Sequence, residues 1–150
     1  MPKLRRFLDL TSQERWLVLK ALVLTGTVRL GLSILPFRYL LRLLERTSQP
    51  VSAARCVGAP LSVERTVWAV SAASRFIPGA SCLTQALTAR LLLTRVGYPA
   101  KLEIGVAHNK QGKLEAHAWV EVNGQTVIGD LADLPRFAKF PPFRAKVPGL

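Results

Sequence analysis

Asn123 and Gly124 stand between two runs of β-branched and aromatic residues, AHAWVEV and QTVIGD. A two-residue type I′ turn needs φ > 0 at both central positions, which Asn and Gly tolerate, so this pair dictates an antiparallel hairpin. An unbroken ladder from that turn faces Val122 with Gln125, Glu121 with Thr126, Val120 with Val127, Trp119 with Ile128 and Ala118 with Gly129. The next pair is His117 with Asp130. Directly opposed residues share a face with Cβ atoms about 4.5–5.5 Å apart, so this register predicts an imidazole–carboxylate contact. A carboxylate on one ring nitrogen fixes the tautomer and stabilises the imidazolium, which is the orienting role in a nucleophile–base–orienter set. A structural pair at a sheet end is the alternative reading, and the presence of a nucleophile decides between them.

The segments before the hairpin set its context. AKLEIGVAH alternates as a strand and NKQG turns, so three antiparallel strands are expected between residues 100 and 130. Upstream, Thr11 with Glu14 makes a capping box ahead of a helix over about residues 12–25. Gly26 and Gly31 weaken the next stretch and Pro36 punctuates it. FRYLLRLLER then resumes as an amphipathic helix whose apolar side either packs on the domain or meets a partner or membrane surface. TSQPVSAARCVGAPLS reads as a linker. VERTVWAVSAASRF reads as a helix stopped by Pro78-Gly79, and CLTQALTARLLLTRVG as a further helix starting near Ser81 and closed by Gly97. Leu92 and Leu93 make the second half of that last helix apolar nearly all round, so it is expected to be central, under the sheet. The tail PRFAKFPPFRAKVPGL is expected to run over the surface. Helices followed by an antiparallel meander predict an α+β class, with residues 1–50 an N-terminal helical part for docking or packing and 51–150 the core.

Hydrophobic residues make up 49% of the 150 and the formal charge is +12, which raises the questions of membrane and nucleic acid. Lys20, Arg29, Arg38 and Arg42 interrupt the Leu- and Val-rich stretch from Trp16 to Leu44, so no spanning helix is predicted, although a peripheral membrane contact is compatible. Basic residues at the start lack an apolar core with a small-residue cleavage site, so no secretory signal is expected and a cytoplasmic location is. The charge attracts acidic partners without naming one. No nucleic-acid motif and no stripe of stacking aromatics accompany it, so nucleic acid is not expected as a partner. Two cysteines and two histidines make neither a C-x-x-C pair nor a zinc set, so neither a metal nor a cofactor is expected.

Cys82 falls in the first turn of the expected central helix. Unpaired N–H groups and the positive dipole end there favour negative charge, as a thiolate nucleophile requires. A small buried hydrophobe is the default for a free cysteine, and Cys56, in its loop-like segment, keeps that reading. The helix-start position together with the His117–Asp130 pair moves Cys82 away from it. His108, beside NKQG, reads as a solvent-facing turn residue, and Asp133 is a rival orienter should the register slip. Helix-start cysteine, strand histidine, then next-strand aspartate is the order in which papain-like and transglutaminase-like folds assemble their sites.

The stretch FIPGASCLTQALTARLLLTRVGYPAKLEIGVAHNKQGKLEAHAWVEVNGQTVIGD resembles the core of the lasso peptide biosynthesis leader peptidases, transglutaminase-like cysteine proteases that remove the leader from a ribosomal precursor. The resemblance rests on CL-x-x-AL, on G-Y-P-A-x-L-x-I-G-V and on AHAWVEV-x-G, and the arginine-punctuated apolar start resembles that family's N-terminal part. It implies Cys82 as nucleophile, His117 as general base and acid, and Asp130 as orienter. It also implies a leader-bearing precursor as substrate, with threonine favoured as the second-last leader residue. A separate leader-recognition protein and an ATP-dependent lasso cyclase are the implied partners, since no recognition domain is apparent before the catalytic part. Two other readings stay open: a transglutaminase-like acyltransferase or amidase using the same three residues, and a non-catalytic basic scaffold for a peptide or membrane. An oxyanion hole would use the backbone N–H of Cys82.

Overall fold

The computed structural model describes residues 11–47 and 62–141. Cys56, most of the expected linker around it and the end of the tail lie outside the described residues. Helix α1 (Ser12–Ile34) opens with the expected capping box: Glu14 N–H donates to Thr11 Oγ1 at 3.3 Å, and Thr11 N–H donates to Glu14 Oε2 at 2.9 Å. That backbone bond from Thr11 holds the Glu14 carboxyl below its ordinary range. The helix does not stop near residue 25. A helical glycine costs about 1 kcal/mol relative to alanine, and tertiary packing overrides this: a Cβ on Gly31 would sit 2.9 Å from Leu40 Cδ1, so the missing side chain is what admits Leu40. The helix ends at Leu35, which is extended, as the residue before a proline prefers.

Helix α2 (Phe37–Thr47) buries Leu40, Leu41 and Leu44 against Val28, Leu87 and Leu91. Ser62 caps α3 (Val63–Ser74) and Ser81 caps α4 (Cys82–Val96), whose C-cap Gly97 has φ 101°. As expected, α4 is central, with Ala86, Leu87, Ala89, Leu91, Leu92 and Leu93 all buried.

The sheet contains β1 (Ala100–His108), β2 (Leu114–Val122), β3 (Gln125–Ile128) and β4 (Ala138–Lys139), in the order β3-β2-β1-β4. The tail therefore does more than cross the surface. After a 3-10 turn at Leu134–Arg136 it pairs antiparallel with β1 and buries Phe137. Even-numbered residues of β1 and β2 face the helices: Ala118, Val120 and Val122 share one core with Leu17, Val18 and Ala21 of α1, Ala69, Val70 and Ala73 of α3, and Ala86, Ala89, Leu92 and Leu93 of α4. Odd-numbered residues line the other side, where Trp119, Ala107 and Phe137 form a second, small core. Trp119 is 1% exposed, and its truncation to alanine is expected to cost about 3–5 kcal/mol. The α+β architecture is that of a transglutaminase-like core.

Candidate active site

Cys82 is the first residue of α4, and its thiol is free and partly buried. The cap is made next to it: Ser81 Oγ accepts from Thr84 N–H at 3.4 Å. The helix start leaves the N–H groups of its first turn without intrahelical partners, so negative charge developing beside Cys82 would meet donors. Its side chain packs against the helix-side core.

A tight turn at Gly97–Pro99 joins α4 to β1, and the two pack against each other. Fifteen helical residues at about 1.5 Å each match six or seven strand residues at about 3.3 Å each. The start of α4 is thus level with the far part of β1, around Gly105 to Ala107. Gly105 pairs with His117 across the ladder, so by these ideal lengths Cys82 and His117 fall at about the same level.

The hairpin forms at the expected turn, with Asn123 at φ 52° and Gly124 at φ 80°. Its first two pairs, Val122 with Gln125 and Glu121 with Thr126, follow the predicted register. The next pair does not. Val120 faces Ile128, because β3 carries one extra residue at a bulge. Every later opposition shifts by one, and β3 ends at Ile128, so the predicted pairs of Val120 with Val127, Trp119 with Ile128, Ala118 with Gly129 and His117 with Asp130 are absent. Gly129 comes next at φ 81°, where a Cβ would lie 2.7 Å from the Ala118 carbonyl oxygen and 2.9 Å from Trp119 Cβ. Only glycine lets the chain pass that close to β2.

The consequence falls on the imidazole. His117 Nε2 donates to the carbonyl oxygen of Gly129 at 2.7 Å. Its ring stacks on Trp119, with centroids 6.1 Å apart and planes 18° apart, and tilts against Phe137 at 5.6 Å. Asp130 is exposed, and among the described residues its carboxylate enters no hydrogen bond or ion pair. Asp133, the rival orienter, is committed elsewhere: its Oδ2 accepts from Arg136 Nε at 2.6 Å. Arg136 also donates to Glu115 at 2.7 Å and to the His108 carbonyl at 3.0 Å, and the bonds to Glu115 and Asp133 raise its pKa further. A cleft of about 450 Å³ lies beside this cluster, between the β1–β2 turn and Arg136, and is not lined by Cys82, His117 or Asp130.

Ideal element lengths put Cys82 and His117 at about one level, and the structure sets His117 next to the chain at Gly129–Asp130, without joining the three side chains by hydrogen bonds. Cys82 packs on the helix side of the sheet, whereas His117 rests on the Trp119–Phe137 side. His108 is exposed at the end of β1, as expected of a turn residue. Sequence reasoning missed the Gly129 carbonyl and the aromatic bed under His117. An isolated glycine in a strand-like run was the signal for the first, since it marks a bulge or a close backbone approach. For the second, Trp119 two residues beyond His117 was bound to share its face.

The sequence pattern of the transglutaminase-like superfamily matches residues 28–141, from within α1 through β4. No curated protein and no solved structure matches the chain. The chain belongs to the transglutaminase-like superfamily, whose members are generally cysteine proteases or acyl transferases.

Proposed function

We propose that this chain is a cysteine peptidase that removes the leader from a ribosomally made lasso peptide precursor, acting in the cytoplasm with a separate leader-recognition protein and ahead of a lasso cyclase. The observation that carries the reading is Cys82 at the first position of the central helix in a chain of this superfamily, with a histidine on the second strand. The lasso-specific part rests on the resemblance of residues 76–130.

In the proposed cycle Cys82 is the nucleophile and His117 the base. A carbonyl only accepts, so the bond to Gly129 requires the proton on Nε2 and leaves Nδ1 of the neutral ring to take the thiol proton. Reaction requires the imidazole to leave its aromatic bed so that Nδ1 meets Sγ at the shared end of helix and sheet. Sγ attacks the last leader carbonyl, the oxyanion is held by N–H groups of the α4 start, and His117 returns the proton to the departing core amine. Water then adds to the thioester, releasing the leader carboxylate and the free thiol. Asp130, one residue past the Gly129 carbonyl, would supply negative charge toward the imidazolium.

The test is mass spectrometry of the precursor after incubation with this chain and the recognition protein. Cleavage with addition of water, lost in Cys82→Ala and His117→Ala and weakened by omitting the recognition protein, is the expected result. Undiminished cleavage by Cys82→Ala overturns the assignment. An amine adduct in place of hydrolysis keeps the nucleophile and makes the enzyme an acyltransferase.

A further inference from the structure

Helix α1 has a second face that the described residues leave uncovered. Trp16, Leu19, Val23, Leu30 and Ile34 are 57%, 46%, 60%, 60% and 70% exposed. Their spacings of three, four, seven and four residues put them on one side of the helix, in a stripe about 27 Å long at 1.5 Å per residue. The opposite side, with Leu17, Val18, Ala21, Thr25 and Val28, is buried in the fold. By length and composition α1 could cross a membrane. Crossing would pull that inner face out of the core it shares with α3, α4 and the sheet, so the exposed stripe is a docking face and not part of a span.

The charges around the stripe indicate by what. Lys20 stands one residue beyond Leu19 with its ammonium 5.5 Å over the Trp16 ring. Past the stripe's other end, Arg38 and Arg42 lie 6.0 and 5.9 Å from the Tyr39 ring, and Arg46 is exposed a turn further on. The one acid of α1, Glu14, is tied into the cap and 3.9 Å from Arg65. The whole chain carries +12. An apolar stripe headed by a tryptophan, with Lys20 over that ring and the exposed arginines of α2 following in the chain, complements an anionic lipid surface.

We propose that α1 lies flat in the interface of an anionic bilayer, with Trp16, Val23, Leu30 and Ile34 in the acyl boundary and Lys20, Arg38 and Arg42 at the headgroups. This docking is independent of the peptidase reading.

The test is co-sedimentation of the full chain with vesicles of phosphatidylcholine and phosphatidylglycerol in equal parts, against vesicles of phosphatidylcholine alone. Binding to the anionic vesicles is expected, weakened by salt, and reduced about tenfold or more by the triple change Val23→Ser, Leu30→Ser and Ile34→Ser. These positions are exposed, so the variant is expected to keep the melting transition of the parent, which circular dichroism checks. Absence of binding to the anionic vesicles, or undiminished binding by the folded triple variant, overturns the proposal. So does lipid-free self-association in sedimentation velocity that the triple change abolishes, which would assign the stripe to a second copy of the chain.

Discussion

His117 Nε2 lies 2.7 Å from the carbonyl oxygen of Gly129, one residue short of the carboxylate that an unbulged hairpin would set opposite it. A carbonyl and a carboxylate both fix the ring's tautomer, but only the carboxylate brings a full negative charge. The neutral ring is therefore expected as the Nε2–H tautomer, with Nδ1 unprotonated. Nitrogen NMR of selectively labelled His117 checks this: an Nδ1–H tautomer would show that the bond to Gly129 is not made in solution.

Gly129 is expected to be the least replaceable glycine of the hairpin region. In Gly129→Ala a left-handed φ, itself worth about 1–2 kcal/mol for an L-residue, is joined by a Cβ 2.7 Å from backbone oxygen. Gly97 is the control, with φ 101° but nothing within 4 Å of an added Cβ. Denaturant melts should show a clearly larger loss for Gly129→Ala than for Gly97→Ala, and equal losses would mean that β3 re-pairs without the close approach.

Much of this fold was legible because local rules and tertiary packing agree. The strand AKLEIGVAH spans β1 from end to end, the capping box opens α1, and Gly97 closes α4. What was illegible needed long-range partners. Gly31 reads as a helix breaker until Leu40 folds back onto it, and Ala138–Lys139 reads as surface until β1 offers an open edge. The site shows the same division. Cys82 at a helix start is set by local signals, whereas the His117 contact turned on one bulged residue that moves every later pair.

Acid is expected to loosen the outer face of the sheet through Glu121. Lys139 Nζ donates to its carboxylate at 2.7 Å and Trp119 Nε1 at 3.0 Å, and these bonds hold its pKa below the ordinary 4.5. A depressed carboxylate stabilises the fold above its unfolded pKa, and that contribution is lost as pH falls through the folded value. Stability of the parent should therefore fall on acidification below about 4.5. In Glu121→Gln, which lacks the charge at every pH, that acid limb should be shallower. Chemical denaturation across the acid range measures the difference, and parallel curves would show that the Lys139 bond contributes nothing in solution.

Asp130 and Asp133 are three residues apart, and their environments assign them different work. Asp133 is held by Arg136 at 2.6 Å, in a cluster with Glu115 that ties the 3-10 turn to the strand ends. Its removal should therefore touch stability by no more than about 1 kcal/mol, as exposed ion pairs do, and leave thiol-dependent cleavage within about twofold. Asp130 has no such engagement and comes directly after the carbonyl that holds His117. If its charge supports the imidazolium, Asp130→Asn should lower kcat by about ten- to a thousandfold with little change in KM, and less severely than His117→Ala, because the imidazole itself remains to take the thiol proton. Parallel kinetics of the two aspartate variants decide the matter: a loss on Asp133→Asn with none on Asp130→Asn would move the orienting role to the Arg136 cluster and require β3 to re-pair in the working enzyme.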